Sequence, residues 1–205
     1  MKSIENEREF HLFVKFMSAE INDAYLRKNY VSEIEELVDY KHGNQRQIPD
    51  NLIRFFDIVA SDFYYRIVSI VFNILVEEKQ KNSKTKKETD IKVDAIFEYY
   101  KDYPNKEKIV FDNSLMDKAM NELNLLREKE KDNIETLRVF KNKMISHITI
   151  NQQSIKFDLV EGVLDKTRNL VDLIYGAVYG TGEQHLSLKN FQIGHYLKTL
   201  KENNK

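Results

Sequence analysis

The sequence predicts an all-α fold: a bundle of about four long helices with short accessory helices and a C-terminal arm. Three observations predict it. Apolar residues recur at spacings of three and four along most of the 205 residues. Six Gly and two Pro are too few for the frequent tight turns of an all-β chain. Hydrophobic residues make up 41% and charged residues 32%, the balance of a globular chain long enough to bury a core without staples.

Each element follows from a local pattern. Phe10, Phe13, Val14, Met17, Ile21 and Tyr25 form one apolar stripe. Ser32 with Glu35 fits a capping box, so a short second helix is expected from Ser32, burying Ile34, Leu37 and Val38. Residues 41–47 read as a loop. Pro49 and Asp50 then open a long helix with Leu52, Ile53, Phe56, Val59, Phe63, Ile67, Ile70, Val71 and Ile74 inside. From Ile67 on it is apolar nearly all round, which places it at the centre of the bundle. Residues 77–90 are polar and Lys-rich and read as a loop. Ile91 to Tyr100 reads as a short helix closed by Tyr103-Pro104, because the residue before proline avoids helical angles. Ser114 is the expected cap of the next helix, and the charged run from Arg127 to Asp132 either continues it or joins it to another. Ile134 to Ile150 and then Val160 to Val178 complete the long helices. No repeat or linker suggests a second domain, so residues 1–180 are expected to form the helical domain and residues 181–205 a tail or docking arm.

Composition excludes several function classes. The chain has no Cys, hence no disulfide framework, thiolate metal site or cysteine nucleophile. Its formal net charge of -1 means that any nucleic acid is met by a local patch rather than a whole-molecule field. The first residues, Met1 to Glu7, carry acids and lack the apolar core of a signal peptide. The longest apolar run, Ile67 to Val76, is broken by Ser69 and Asn73 and is shorter than the ~20 residues of a spanning helix, so a cytoplasmic protein without a membrane partner is expected. There is no Gly-rich phosphate loop, no His-Glu-x-x-His pair and no Glu-x-x-His repeat, so no cofactor or metal is expected. His11, His42, His185 and His195 are scattered and read as polar surface residues.

One segment stands out, from Leu137 to His147. At about 100° per residue, Ile134, Leu137, Met144, Ile145 and Ile148 share one arc, and Lys141 falls inside it. An ammonium there has to snorkel, meet a polar partner or line a cavity. His147 stands at the arc's edge, where the helix should end and its dipole favours an imidazolium. Lys141 and His147 are six residues apart, about 9 Å along the axis and roughly 120° around it. One helix does not easily aim both at one phosphate, whereas two copies across a symmetric axis do. The plainer alternative is a dipole partner and a snorkelling lysine.

The residues Leu137, Arg138, Phe140, Lys141, Asn142, Lys143, Ser146 and His147 resemble the motif helix of the HEPN superfamily, in the flavour of its abortive-infection AbiU-type branch. The run from Asp57 to Ile74 is similar to the first bundle helix of that branch. The resemblance implies a homodimeric, metal-independent ribonuclease of phage defence or a toxin–antitoxin setting, with an antitoxin or other regulatory partner. It implies His147 as the acid/base group, Asn142 as its orienter or that of the phosphate, and Lys141 in the place of the family's arginine. Lysine keeps the charge there and loses the planar fork. Arg138 is a substitute only in principle, since it lies roughly 180° around the helix from His147. The family also has inactive forms, so a catalytically dead dimeric interaction or nucleotide-binding module is the alternative. RNA would meet Lys143, Arg138 and the basic run Lys79 to Lys87, with Lys84, Lys86 and Lys87 at its densest part.

Overall fold

The computed structural model describes residues 4–38, 50–76, 92–103, 111–146 and 157–180. These residues hold six helices and no strand: α1 (Glu7–Val38), α2 (Asp50–Leu75), α3 (Val93–Asp102), α4 (Asn113–Lys129), α5 (Lys131–Ser146) and α6 (Phe157–Tyr179). The predicted loop at 41–47, the whole Lys-rich segment at 77–90 and the arm at 181–205 lie outside the described residues.

Side-chain pairs fix the directions. Glu20 meets Arg66 and Tyr30 meets Phe63, so α1 and α2 are antiparallel. His11 meets Tyr179 and Lys28 meets Glu161, so α6 is antiparallel to α1. Glu130 meets Lys166, and the Asp112 amide donates to the Ala177 carbonyl, so α4 also runs against α6. A turn at Glu130 separates α4 from α5. The chain thus runs α1 and α4 one way and α2 and α6 the other, with α3 against the end where α1 begins. Aromatic rings close that end: Phe10 stacks on Tyr99 at 4.9 Å and meets Phe111 edge-on at 5.5 Å.

The core follows the apolar stripes. Phe10, Val14, Met17 and Ile21 of α1 are buried, as are Met116 and Ala119 of α4 and Val163, Leu164, Leu170 and Ile174 of α6. Every residue of α2 from Ile67 to Leu75 except Asn73 is buried, as expected for the central helix. Arg127 ties three helices at its end: it pairs with Asp94 of α3 and donates to the Leu75 carbonyl, an orphan acceptor of the α2 C-terminus.

Four expectations need correction. No break precedes Ser32; α1 is one helix of 32 residues. Its buried face runs on through Val31 and Ile34, each 3% exposed, and no Gly or Pro interrupts it. The cap of α4 is Asp112, not Ser114: Asp112 accepts from the Ser114 and Leu115 amides. These bonds, led by that from the Ser114 hydroxyl, hold the Asp112 carboxyl below its ordinary range. Leu52, expected inside, is exposed, and Ile53, Phe56, Val59 and Phe63, also expected inside, are only partly buried, so the core holds the second half of α2 and not the first. Finally, α2 over Asn51–Leu75 is long and apolar enough to cross a membrane by length and composition, although its second half is the centre of the bundle.

Ser69 of α2 has a buried hydroxyl oxygen without a hydrogen-bond partner among the described residues. An orphaned buried hydroxyl costs more than it contributes. Ser69→Ala is therefore expected to stabilise the fold by about 1 kcal/mol, read as a melting temperature roughly 3 °C higher. The α4–α5 turn carries an acid-side dependence. The Lys166 ammonium, then the Asn133 amide, hold the Glu130 carboxyl below its ordinary value. A depressed carboxyl contributes stability above its unfolded pKa and loses it as pH falls through the folded one. A melting curve followed from neutral pH into acid should fall less steeply in Glu130→Gln than in the wild type.

Candidate functional site

The motif segment occupies most of α5, which is helical from Lys131 to Ser146. Leu137 anchors it, 1% exposed in the core. Phe140 meets the Tyr64 ring of α2 edge-on at 5.9 Å. Burial, followed by the nearby Glu35 and Asp158 charges, pushes the Tyr64 phenol far above its ordinary value, so it stays protonated.

Lys141 resolves its own anomaly. Its Nζ donates to Oδ1 of Asn73 at 2.6 Å, and the ammonium lies 4.3 Å from the centre of the Phe72 ring. Two breaks in two apolar patterns thus answer each other: a lysine in the inner arc of α5, and an asparagine in the greasy run of α2. The amide carbonyl satisfies one donor, and the ring face stabilises the charge where water is scarce. A double-mutant cycle of Lys141→Met and Asn73→Ala should show a coupling of about 1 kcal/mol by denaturant unfolding. Additive effects would show that the contact contributes nothing.

The other site residues are not gathered around it. Arg138 is 43% exposed and pairs with Glu135 one turn back at 3.3 Å, so it is not drawn toward Lys141. Asn142 and Lys143 are helical residues of α5 whose side chains lie outside the described part of the structure. His147 and the basic residues Lys84, Lys86 and Lys87 lie outside the described residues altogether. Among the described residues no group of three or more His, Asp or Glu is placed to hold a metal.

A second cluster escaped the sequence reading. Where α1 begins and α6 ends, Glu7, Arg8, His11, Leu12, Lys15 and Tyr179 are among the residues that line a shallow groove of about 730 Å³, with Glu7 3.8 Å from His11 Nε2. His11 Nδ1 is 2.8 Å from the Tyr179 hydroxyl, and Lys15 lies over the same ring at 5.5 Å. Burial, then the neighbouring Tyr175, pushes the Tyr179 phenol up to about 12. The Tyr179 phenol stays protonated, its oxygen shares a hydrogen bond with His11 Nδ1, and it also lies 3.4 Å from the His11 carbonyl oxygen, to which it donates. The spacing of Arg8, His11 and Lys15 on one helical face is visible in the sequence. Their meeting with Tyr179, 168 residues away from His11, is not.

No family model, curated protein or solved structure matches the chain.

Proposed function

We propose that this chain is a metal-independent endoribonuclease of the HEPN type, acting as a homodimer. The observation that supports it is the lodging of Lys141. The motif helix carries a cation on its inner side, fixed by Asn73 and Phe72 of the central helix, six residues before His147 in sequence. A fixed cation is preorganised for a phosphate, because its geometry does not have to be found during the reaction. In the proposed reaction a ribose 2′-oxygen attacks the adjacent phosphorus and the bond to the 5′-oxygen breaks. His147 moves the protons, Asn142 orients, and Lys141 offsets charge developing on the phosphate. The products are a 2′,3′-cyclic phosphate and a 5′-hydroxyl. Phage defence or a toxin–antitoxin pair is the proposed setting, with a regulatory protein as second partner and the cytoplasm as its place.

The same lodging also favours a second reading, a catalytically inactive HEPN-like interaction or nucleotide-binding module. A lysine engaged by Asn73 and Phe72 has part of its donor capacity committed within the bundle, and it lacks the bidentate fork of arginine. Incubation of the purified protein with structured and single-stranded RNA in EDTA separates the two. Cutting in EDTA supports the enzyme. No cutting by the wild type, with cutting gained in Lys141→Arg, marks a weakened enzyme. No cutting by either marks the inactive module.

A further inference from the structure

We propose that the first half of α2 is the face on which two copies of this chain meet, antiparallel, across a two-fold axis beside Ile58. Between Asn51 and Arg66 no residue of α2 is buried, although the stretch holds Leu52, Phe55, Ile58 and Phe63. Leu52, Phe55 and Ile58 are 43%, 56% and 69% exposed and follow one another at a spacing of three. That is a continuous apolar ridge, not scattered single residues, and such ridges mark contact surfaces. The second half of the same helix is buried in the core.

The charges flanking the ridge choose its occupant. Arg54 and Asp62 are both exposed. No described side chain forms an ion pair with either. They stand four residues on either side of Ile58, about 6 Å along the axis and about 40° to each side around it. An antiparallel two-fold crossing centred on Ile58 sets Arg54 of one copy at the height of Asp62 of the other, and symmetry repeats the pair. A parallel crossing would set arginine against arginine and aspartate against aspartate. A bilayer would have to take up Arg54, Asp57 and Asp62 within the same four turns, at a large cost. The ridge therefore fits a second copy of itself better than lipid. It also lies beside the motif helix, since Tyr64 of α2 meets Phe140 of α5. The inference rests on the proposed reading for the existence of the dimer, and on none of its chemistry.

Light scattering and sedimentation over a concentration series test it, with RNA cutting in EDTA measured on the same samples. The wild type is expected to be a dimer and Ile58→Asp a monomer of unchanged circular dichroism. Arg54→Asp or Asp62→Arg alone should weaken the dimer about tenfold or more, and the double reversal should recover it to within about threefold. A wild-type monomer, a dimeric Ile58→Asp, or a double reversal no stronger than its single variants would overturn the proposal. So would a monomeric wild type that floats with phosphatidylcholine vesicles, which would give the ridge to lipid. A dimer that obeys these variants and cuts no RNA leaves the interface standing and removes the nuclease. A protein that cuts RNA while its dimer ignores Ile58→Asp does the reverse.

Discussion

Under the proposed function, His147→Ala is expected to abolish RNA cutting, with a loss of about 10²- to 10⁴-fold or more, while the protein keeps its helical spectrum and its mass in solution. The expectation follows from the proposed chemistry. Attack by a ribose hydroxyl needs a proton removed and a leaving oxygen needs one returned, and histidine is the side chain whose ordinary pKa allows both near neutral pH. The lysine six residues earlier is tied to Asn73 and Phe72, and in the proposed reaction it is assigned the charge and His147 the proton transfer. Undiminished cutting by His147→Ala would move the activity to another site or to a contaminant. The groove residue His11 provides the control: it is bonded to Tyr179 at the opposite end of α6 from Glu161 and Asp165, and the proposal gives it no role in cutting.

Phe10→Ala is expected to cost about 3–5 kcal/mol of stability. Phe10 is fully buried, stacks on Tyr99 of α3 at 4.9 Å and meets Phe111, just before α4, at 5.5 Å. Its removal takes away apolar burial and two ring contacts and leaves a cavity that three separate chain segments would have to collapse into. Native stability is commonly only about 5–15 kcal/mol, so the melting temperature should fall by roughly 10 °C. Phe16→Ala makes the comparison, because Phe16 on the same helix is 50% exposed and its loss should change stability by less than about 0.5 kcal/mol. Equal melting points for the two variants would contradict the arrangement of rings at that end of the bundle.

The stripes of α1, α4, α6 and the second half of α2 were legible because each buries a face at helical spacing, whereas the first half of α2 carries a similar stripe that the bundle does not bury. The continuity of α1 past Ser32 was less legible, because charged side chains bridge the interval between the buried Ala24 and Val31. Lys28 reaches Glu161 of α6, and the Arg27 guanidinium lies over the Phe63 ring of α2 at 5.2 Å. A pattern read from apolar residues alone sees a gap where stems and ion pairs continue the contact. Ser114 was a good capping residue two places too late, and Asp112, which accepts its hydroxyl, does the capping. The site was half legible. Lys141 is out of place in its arc and Asn73 in its run, and each anomaly is visible alone. Only the packing of α5 against α2 makes them partners. The Arg8, His11, Lys15 and Tyr179 groove depends on α1 and α6 lying side by side, which no local pattern encodes.

The chemistry of the cut ends tests the proposed function most directly. In EDTA, with purified wild-type protein, the account predicts RNA fragments that end in a 2′,3′-cyclic phosphate and begin with a 5′-hydroxyl. Fragments with 3′-hydroxyl and 5′-phosphate ends, or cutting that appears only when a divalent metal is added, would contradict it.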